Sequence, residues 1–239
     1  DNVFYTRENE ISDTIFHIRP YITAQSNWSR HSLTVYLAAD IARYKDRDIL
    51  DYEDYFFNVA GTFDVHSRAY FSYGFDYMDL HENRNVVTAE QGIEPTRYNL
   101  TSWNVGYDQV FNRLAVGARY TWRKLDYDNS LGLEGEIDNQ DRDREMNMVM
   151  ARLGYQFQTD KQAFISATWR ETNFDEPFDR NGLHRDSDGY DLRAGVLFEI
   201  TAVLSGDVSV AYHKSRFDDP QLEDISGWSL GAGLTWIGR

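Results

Sequence analysis

A period of two, repeated along almost the whole chain, is the constraint that every other feature must meet. The stretch GWSLGAGLTW at 227–236 shows it most cleanly. Trp228, Leu230, Ala232, Leu234 and Trp236 fall on one parity, and Gly227, Ser229, Gly231, Gly233 and Thr235 on the other. Successive side chains of a strand point to opposite faces, so this segment has one large apolar face and one small, uncharged face. The alternation recurs at 15–24, 33–43, 55–65, 69–77, 99–111, 114–123, 147–157, 163–170, 190–200 and 204–213, making about eleven strands in all. No segment has a helical period.

The links alternate as strictly as the side chains. Short turns at 26–30, 64–68, 110–113, 158–162 and 200–203 are separated by long polar links at 44–54, 78–98, 124–146, 171–189 and 214–226. Tight turns at one end and long loops at the other are the pattern of an up-and-down outer-membrane barrel. A soluble β-sandwich also has many short strands, but so many long links are unusual in a compact soluble domain. The expected fold is therefore all-β, a transmembrane antiparallel up-and-down β-barrel forming a single domain over 1–239.

Composition agrees with a spanning sheet. No run of 18 apolar residues exists and mean hydropathy is −0.61, which excludes a transmembrane helix but not strands whose apolar residues are only every second one. Aromatic residues reach 15%, with 16 Tyr, only 4 Pro and no Cys. A net charge of −15 argues against nucleic acid as a partner, since a phosphate-binding surface needs clustered Lys and Arg.

If the apolar parity meets lipid, its aromatics should gather at the strand ends as two interfacial girdles. Tyr107, Tyr155 and Trp236, with Phe63, Phe111, Phe157 and Phe198, lie beside short turns. Tyr77, Trp122, Trp169, Tyr190 and Trp228, with Tyr55, lie beside long links. The other parity is charged: Arg19, Arg43, Arg119, Arg123, Arg152, Arg170 and Arg193, with Asp40, Asp76, Asp108, Asp191, Glu199 and Asp207. So many ionisable groups do not fit a dry core, so this parity is expected to line a wet or polar-plugged lumen. Arg119, Arg123, Arg152, Arg170 and Arg193 come from four successive strands and would form a basic wall that guides anions. Alternatively, they pair with Asp191, Glu199 and the acidic loops and only brace the barrel. Tyr21, Tyr36, Tyr44, Tyr70 and Tyr98 also point inward and would help to fill a small barrel.

Several segments also resemble a known family. The segments DNVF, HSLTVYLAADIARY followed by DYEDY, DNQDRDR, RDSDGYDLRAGVLFEIT, and LSGDVSVAYH with FDDP and DISGWSLGAGLTW are similar to the β-barrel porin 2 family of bacterial outer-membrane proteins. The resemblance covers most of the chain in order and carries no functional residue. It implies a role as the outer-membrane barrel of an exopolysaccharide or capsule export system, with export machinery as a partner. It also implies further strands at both ends. An odd strand number, a first strand running toward a short turn, and a C-terminal WIGR without a terminal aromatic point the same way. The expectation is a partial chain of an even barrel of 12 to 16 strands.

Chemistry is expected to be absent. His81 with Glu82, His184 with Asp186 and His213 with Asp218 lie near long links, but no nucleophile stands in a recognisable frame, so no enzyme and no cofactor are expected. DYDNSLG at 126–132 begins like a calcium loop, yet Gly132 is one place late and Ile137 stands where the closing Glu belongs. Weak Ca²⁺ or Mg²⁺ bridging from Asp126, Asp128, Asp138 and Asp141 to lipopolysaccharide phosphates is weighed against a merely solvated acidic rim. The expected function is an outer-membrane porin-like channel for polysaccharide export or passive diffusion of hydrophilic and anionic solutes. Its long loops would be extracellular, its short turns periplasmic, and lipid and lipopolysaccharide its surroundings. The alternative is a non-conducting structural or adhesive barrel that binds surface glycans or an assembly partner. Sequence leaves the oligomeric state open.

Overall fold

The computed structural model describes residues 11–83, 92–132 and 135–238. The DNVF segment of the resemblance lies outside them. One antiparallel sheet dominates, and every segment expected to be a strand is in it. Its members are β1 (Ile15–Ile18), β2 (Tyr21–Gln25), β3 (Ser32–Tyr44), β4 (Tyr52–His66), β5 (Ala69–His81), β6 (Arg97–Phe111) and β7 (Leu114–Tyr127). After a small separate hairpin of β8 (Ser130–Gly132) and β9 (Gly135–Ile137), the sheet resumes. It continues with β10 (Arg144–Gln158), β11 (Lys161–Phe174), β12 (Ser187–Thr201), β13 (Leu204–Phe217) and β14 (Ile225–Trp236). Neighbours in space are neighbours in sequence from β3 to β14 once the hairpin is set aside, and β1 and β2 both pair with β3.

The first expected strand is divided rather than continuous. Pro20 has no N–H to give to the ladder, so pairing stops at Ile18 and resumes at Tyr21, while the Pro20 carbonyl still accepts the Ala39 N–H at 3.0 Å. The other short connections are tight turns. Between Phe111 and Leu114, which pair directly, Asn112 adopts φ 53°, a left-handed conformation that asparagine tolerates. The strands extend further toward the long loops than the alternation predicts, β7 to Tyr127 and β11 to Phe174, for example.

Register fixes which residues share a face. Leu37 is opposite Phe57, Phe57 opposite Tyr77, Phe75 opposite Trp103, Trp103 opposite Trp122, Val149 opposite Trp169, Trp169 opposite Tyr190, and Tyr212 opposite Trp228. The apolar parity is thus one continuous face from β1 to β14, and the polar parity is the other. Burial runs opposite to that of a water-soluble protein. Ala42, Ser102, Leu125, Phe164 and Ala211 are buried on the polar face, whereas Leu153, Ile165, Leu192 and Val208 on the apolar face are 40–57% exposed. Large exposed apolar surface of this extent needs an apolar solvent, and the more enclosed face is the polar one. The apolar face is therefore the outer one.

Both aromatic rows lie on this outer face. Tyr77, Trp122, Trp169, Tyr190 and Trp228 form the row toward the long loops, and Tyr107, Tyr155 and Trp236 the row toward the short turns. Between them stand Val149, Ala151 and Leu153 on β10 and their neighbours Ile165, Ala167, Leu192 and Ala194. Beyond the long-loop row the outer face becomes charged. Arg97 donates to Asp79 at 2.8 Å, Lys124 stands 3.0 Å from Asp126, and Arg216 donates to Asp188 at 2.9 Å. Arg43 belongs here and not on the inner face where the sequence reading put it. It is directly opposite Phe16, shares parity with Ile41, and binds the outward Glu53. The alternation ends where the strand leaves the apolar layer, so a residue's charge there says nothing about its face.

An arginine at the middle of the outer face meets hydrocarbon, and one on the inner face does not. Ala151→Arg is expected to lower stability by about 2–4 kcal/mol. Thr168→Arg, on the inner face, should change it by less than about 1 kcal/mol. Reversible urea unfolding in phospholipid vesicles measures both, and equal losses would invalidate the face assignment.

Candidate functional site

The site is the inner face of β7, β10, β11 and β12. Register places Arg119 and Arg123 of β7, Arg152 of β10, Arg170 of β11 and Arg193 of β12 on this face, with Asp191, Glu199 and Asp207 beside them on β12 and β13. Arg152 and Arg193 flank the same residue, Ser166, from opposite sides, about 10 Å apart across two strand spacings. All five arginines are exposed. Among the described residues none of them has a carboxylate within ion-pair distance, so the bracing alternative has no pairs to support it. Arg119 instead reaches Ser72 Oγ at 3.4 Å, and the Arg152 guanidinium lies 4.2 Å above the Phe164 ring. Phe164 is fixed from below. A Cβ on Gly195 would come within 2.8 Å of the ring, so glycine at this position leaves room for Phe164 and through it sets the height of Arg152.

The inner face of β3 to β6 has the opposite character. Asp40 binds His17 and Arg19 at 2.8 and 3.0 Å, Asp76 accepts the Asn58 amide at 2.7 Å, and Asp54 holds His81 at 2.9 Å beneath the stacked Tyr52 ring. Arg19 and the two histidines here stand against carboxylates supplied by neighbouring strands. Sequence adjacency misassigned two histidines. His81 pairs with Asp54 across the strand rather than with neighbouring Glu82, and His213 lies under Gly227 on the inner face with no described contact to Asp218. His184 does meet Asp186, at 3.1 Å.

The long loops gather over the inner face. Arg142 binds Glu82 from the β5–β6 loop and stacks 4.0 Å over the Tyr127 ring, and Arg185 stacks 4.3 Å over Phe174. Tyr127 and Phe174 both have inner parity, so these loops are seated on the mouth of the inner face. Asp141 is the knot: Arg180 donates to it at 2.9 Å and Arg185 to its backbone carbonyl. Arg180 holds the Asp141 carboxyl below the usual range, whereas burial, then Asp126 and Asp175, push Asp143 up.

Comparison with known proteins accounts for this construction. The model of the family described as Putative beta-barrel porin 2 matches residues 1–238. The chain belongs to this family. No protein of curated function matches it in sequence. Among solved structures, it resembles OmpT, an outer membrane protein of Vibrio cholerae, with a TM-score of 0.52 and 11% identity over 87% of this chain. It also resembles the closed form of the ferric-catecholate import receptor Fiu from K12 E. coli, with a TM-score of 0.51 and 9% identity over 94% of this chain. The chain spans 64% of the first structure and 47% of the second. Identities this low carry the fold alone, and that fold is the outer-membrane β-barrel.

Within this porin-family barrel the sequence-derived cation site is dispersed. Ser130–Gly132 is strand β8 and not part of a calcium loop. Asp141 is committed to arginines, Asp138 accepts the Gln140 N–H, and Asp126 groups instead with Asp143 and Asp175. Lys124 already stands 3.0 and 3.5 Å from Asp126 and Asp175, and Asp143 accepts the Tyr127 N–H at 2.6 Å, so each carboxylate of that trio has a partner within the chain. The residues that sequence reading missed are Arg142, Arg180 and Arg185, whose partners Glu82 and Asp141 lie tens of positions away in other loops, although Arg185 also stands 3.5 Å from Asp179 in its own loop. DNQDRDR entered only as a segment of the family resemblance, which names no partner for Arg142.

Because the Asp141 carboxyl is depressed by Arg180, its stabilisation of the loop cluster is present above the ordinary aspartate range. It is lost only as pH falls through the lowered value. Proteolytic nicking of the 128–143 loop should therefore be slow at pH 8, should not rise as pH falls to about pH 5, since protonating the raised Asp143 carboxyl only adds stability, and should rise only below about pH 4. Asp141→Asn should raise nicking about tenfold at pH 7, the lower range for a charge-assisted hydrogen bond with a part-exposed partner. A loop already cleaved rapidly at pH 6 would contradict the assignment.

Proposed function

We propose that this chain forms the wall of a water-filled passage through the bacterial outer membrane, with long loops extracellular and short turns periplasmic. It admits hydrophilic anionic solutes, acidic polysaccharide among them, on the way out or by diffusion. The supporting observation is the row of five exposed arginines without carboxylate partners among the described residues, on the more enclosed face. An uncompensated guanidinium is inexpensive in water and costly in a dry interior, so a hydrated wall is the environment that suits it. Fixed charge along such a wall sets which ions enter, and no covalent step is required. The polymer role is what the family resemblance implies, and the arginines give it a physical basis by offering an anionic chain repeated contacts. Lipid and lipopolysaccharide surround the outer face, with the paired charges above the long-loop aromatic row at headgroup level.

A second reading has its own observation. Arg142, Arg144 and Arg185 lie over inner-face Tyr127 and Phe174, which narrows the mouth and favours a closed, structural or adhesive barrel whose acidic loops bind surface glycans or an assembly partner.

Planar-bilayer recording of the full-length protein separates the two. A conducting, anion-preferring pore is expected, and Arg119→Glu, Arg152→Glu and Arg193→Glu together should reverse the preference, with the effect shrinking between 0.1 M and 1 M salt, where the screening length falls from about 10 to about 3 Å. Absence of conductance supports the closed barrel, and unchanged selectivity removes the arginine wall from the explanation.

A further inference from the structure

The chain has four methionines, and register puts all of them, Met78, Met146, Met148 and Met150, on the inner face. Three form an unbroken column on β10 within the arginine wall. Met146 is flanked by Arg123 and Thr172, Met148 by Thr121 and Arg170, and Met150 by Arg119 and Thr168. Each thioether therefore has an arginine directly beside it on one strand and a threonine on the other, and the arginine side alternates from rung to rung. Met148 is 37% exposed and its two companions are half-buried, so the column is open to the lumen.

A wall that handled only small ions would have no use for this arrangement. Apolar surface left in water is unfavourable, and serine or threonine at these positions would satisfy strand propensity without it. The column runs about 13 Å from Met146 to Met150, with arginines about 5 Å to either side. An elongated molecule lying along it would place hydrocarbon on polarizable, adaptable thioethers and reach guanidinium groups alternately left and right. A compact inorganic anion uses the arginines and gains nothing from the methionines. We infer that Met146, Met148 and Met150 form a binding track for elongated organic polyanions, favouring those that carry apolar surface between their charged groups. This rests on the reading of the inner face as an anion-accepting lumen.

Calorimetric titration of the detergent-refolded full-length protein with suberate, an eight-carbon dicarboxylate, and with sulfate, of equal charge, tests it. Each methylene withdrawn from water is worth about fourfold in affinity, so with about two of its methylenes covered by the column, suberate should bind about tenfold more tightly than sulfate. Met146→Gln, Met148→Gln and Met150→Gln together should bring suberate down to the affinity of sulfate, while the three Met→Leu substitutions should keep the difference. Arg119→Gln, Arg123→Gln and Arg170→Gln together should weaken both anions. Equal affinities in the unaltered protein, or a preference that survives the glutamine substitutions, overturns the track. If neither anion binds, the lumen reading beneath it fails instead.

Discussion

A strand in hydrocarbon has no water to satisfy its N–H and C=O groups, so every one must be met by the neighbouring strand. The rest of this molecule depends on that requirement. It demands long uninterrupted ladders, and the chain supplies them, from Ser32 opposite Thr62 through Arg144 opposite Phe174 to Leu204 opposite Trp236. It also fixes the faces. A slip of β10 by one residue against β7 would turn Arg152 into lipid and Val149, Ala151 and Leu153 into the lumen. The register of the wall is held by the cost of that exchange rather than by any single contact.

Strand length then divides the barrel into zones. The outer parity is apolar only between the two aromatic rows, yet the ladders continue toward the long loops through Glu53, Asp79, Arg97, Lys124 and Asp188. There the same antiparallel geometry serves a different solvent, and opposite charges on adjacent strands stand across from one another as cross-strand pairs do in soluble sheets. These exposed pairs add little stability. Their contribution is positional, because they carry the sheet above the lipid and give the loops a rigid base, so that Tyr127 and Phe174 present their rings to Arg142 and Arg185.

The barrel was legible in the sequence because its two signals are local: parity needs only a strand's own residues, and link length only a count. The aromatic rows and the charged inner-face residues of β7 to β13 followed from parity alone. What escaped needed either a third dimension or an exception to the alternation. Pro20 reads as an ordinary apolar position until its missing N–H is counted. Arg43 was placed by its charge, although Ile41 two residues earlier fixes its face. The cross-strand partner of His81 is 27 positions away, and Arg180 and Arg142 find their carboxylates 39 and 60 positions away. The β8–β9 hairpin is too short for its alternation to stand out from a polar loop.

The arginine wall shows how register distributes charge. The chain carries 39 carboxylates against 24 lysines and arginines, so a cation on any surface should find a partner. The loops follow that expectation, and Asp40 follows it at the other end of the sheet. On β7 to β12 the residues directly beside each arginine are instead Gly106 and Met150, Ser102 and Met146, Gly117 and Ser166, Met148 and Gly189, and Ser166 and Ala211. Not one of these positions is acidic. Were the interior dry, each uncompensated guanidinium would cost several kcal/mol, and five on one wall would consume the net stability of an ordinary domain. In water the same arrangement costs almost nothing. The absence of an acidic residue from these paired positions is thus the most informative property of the wall, because it sets a condition on the solvent that the inner face meets.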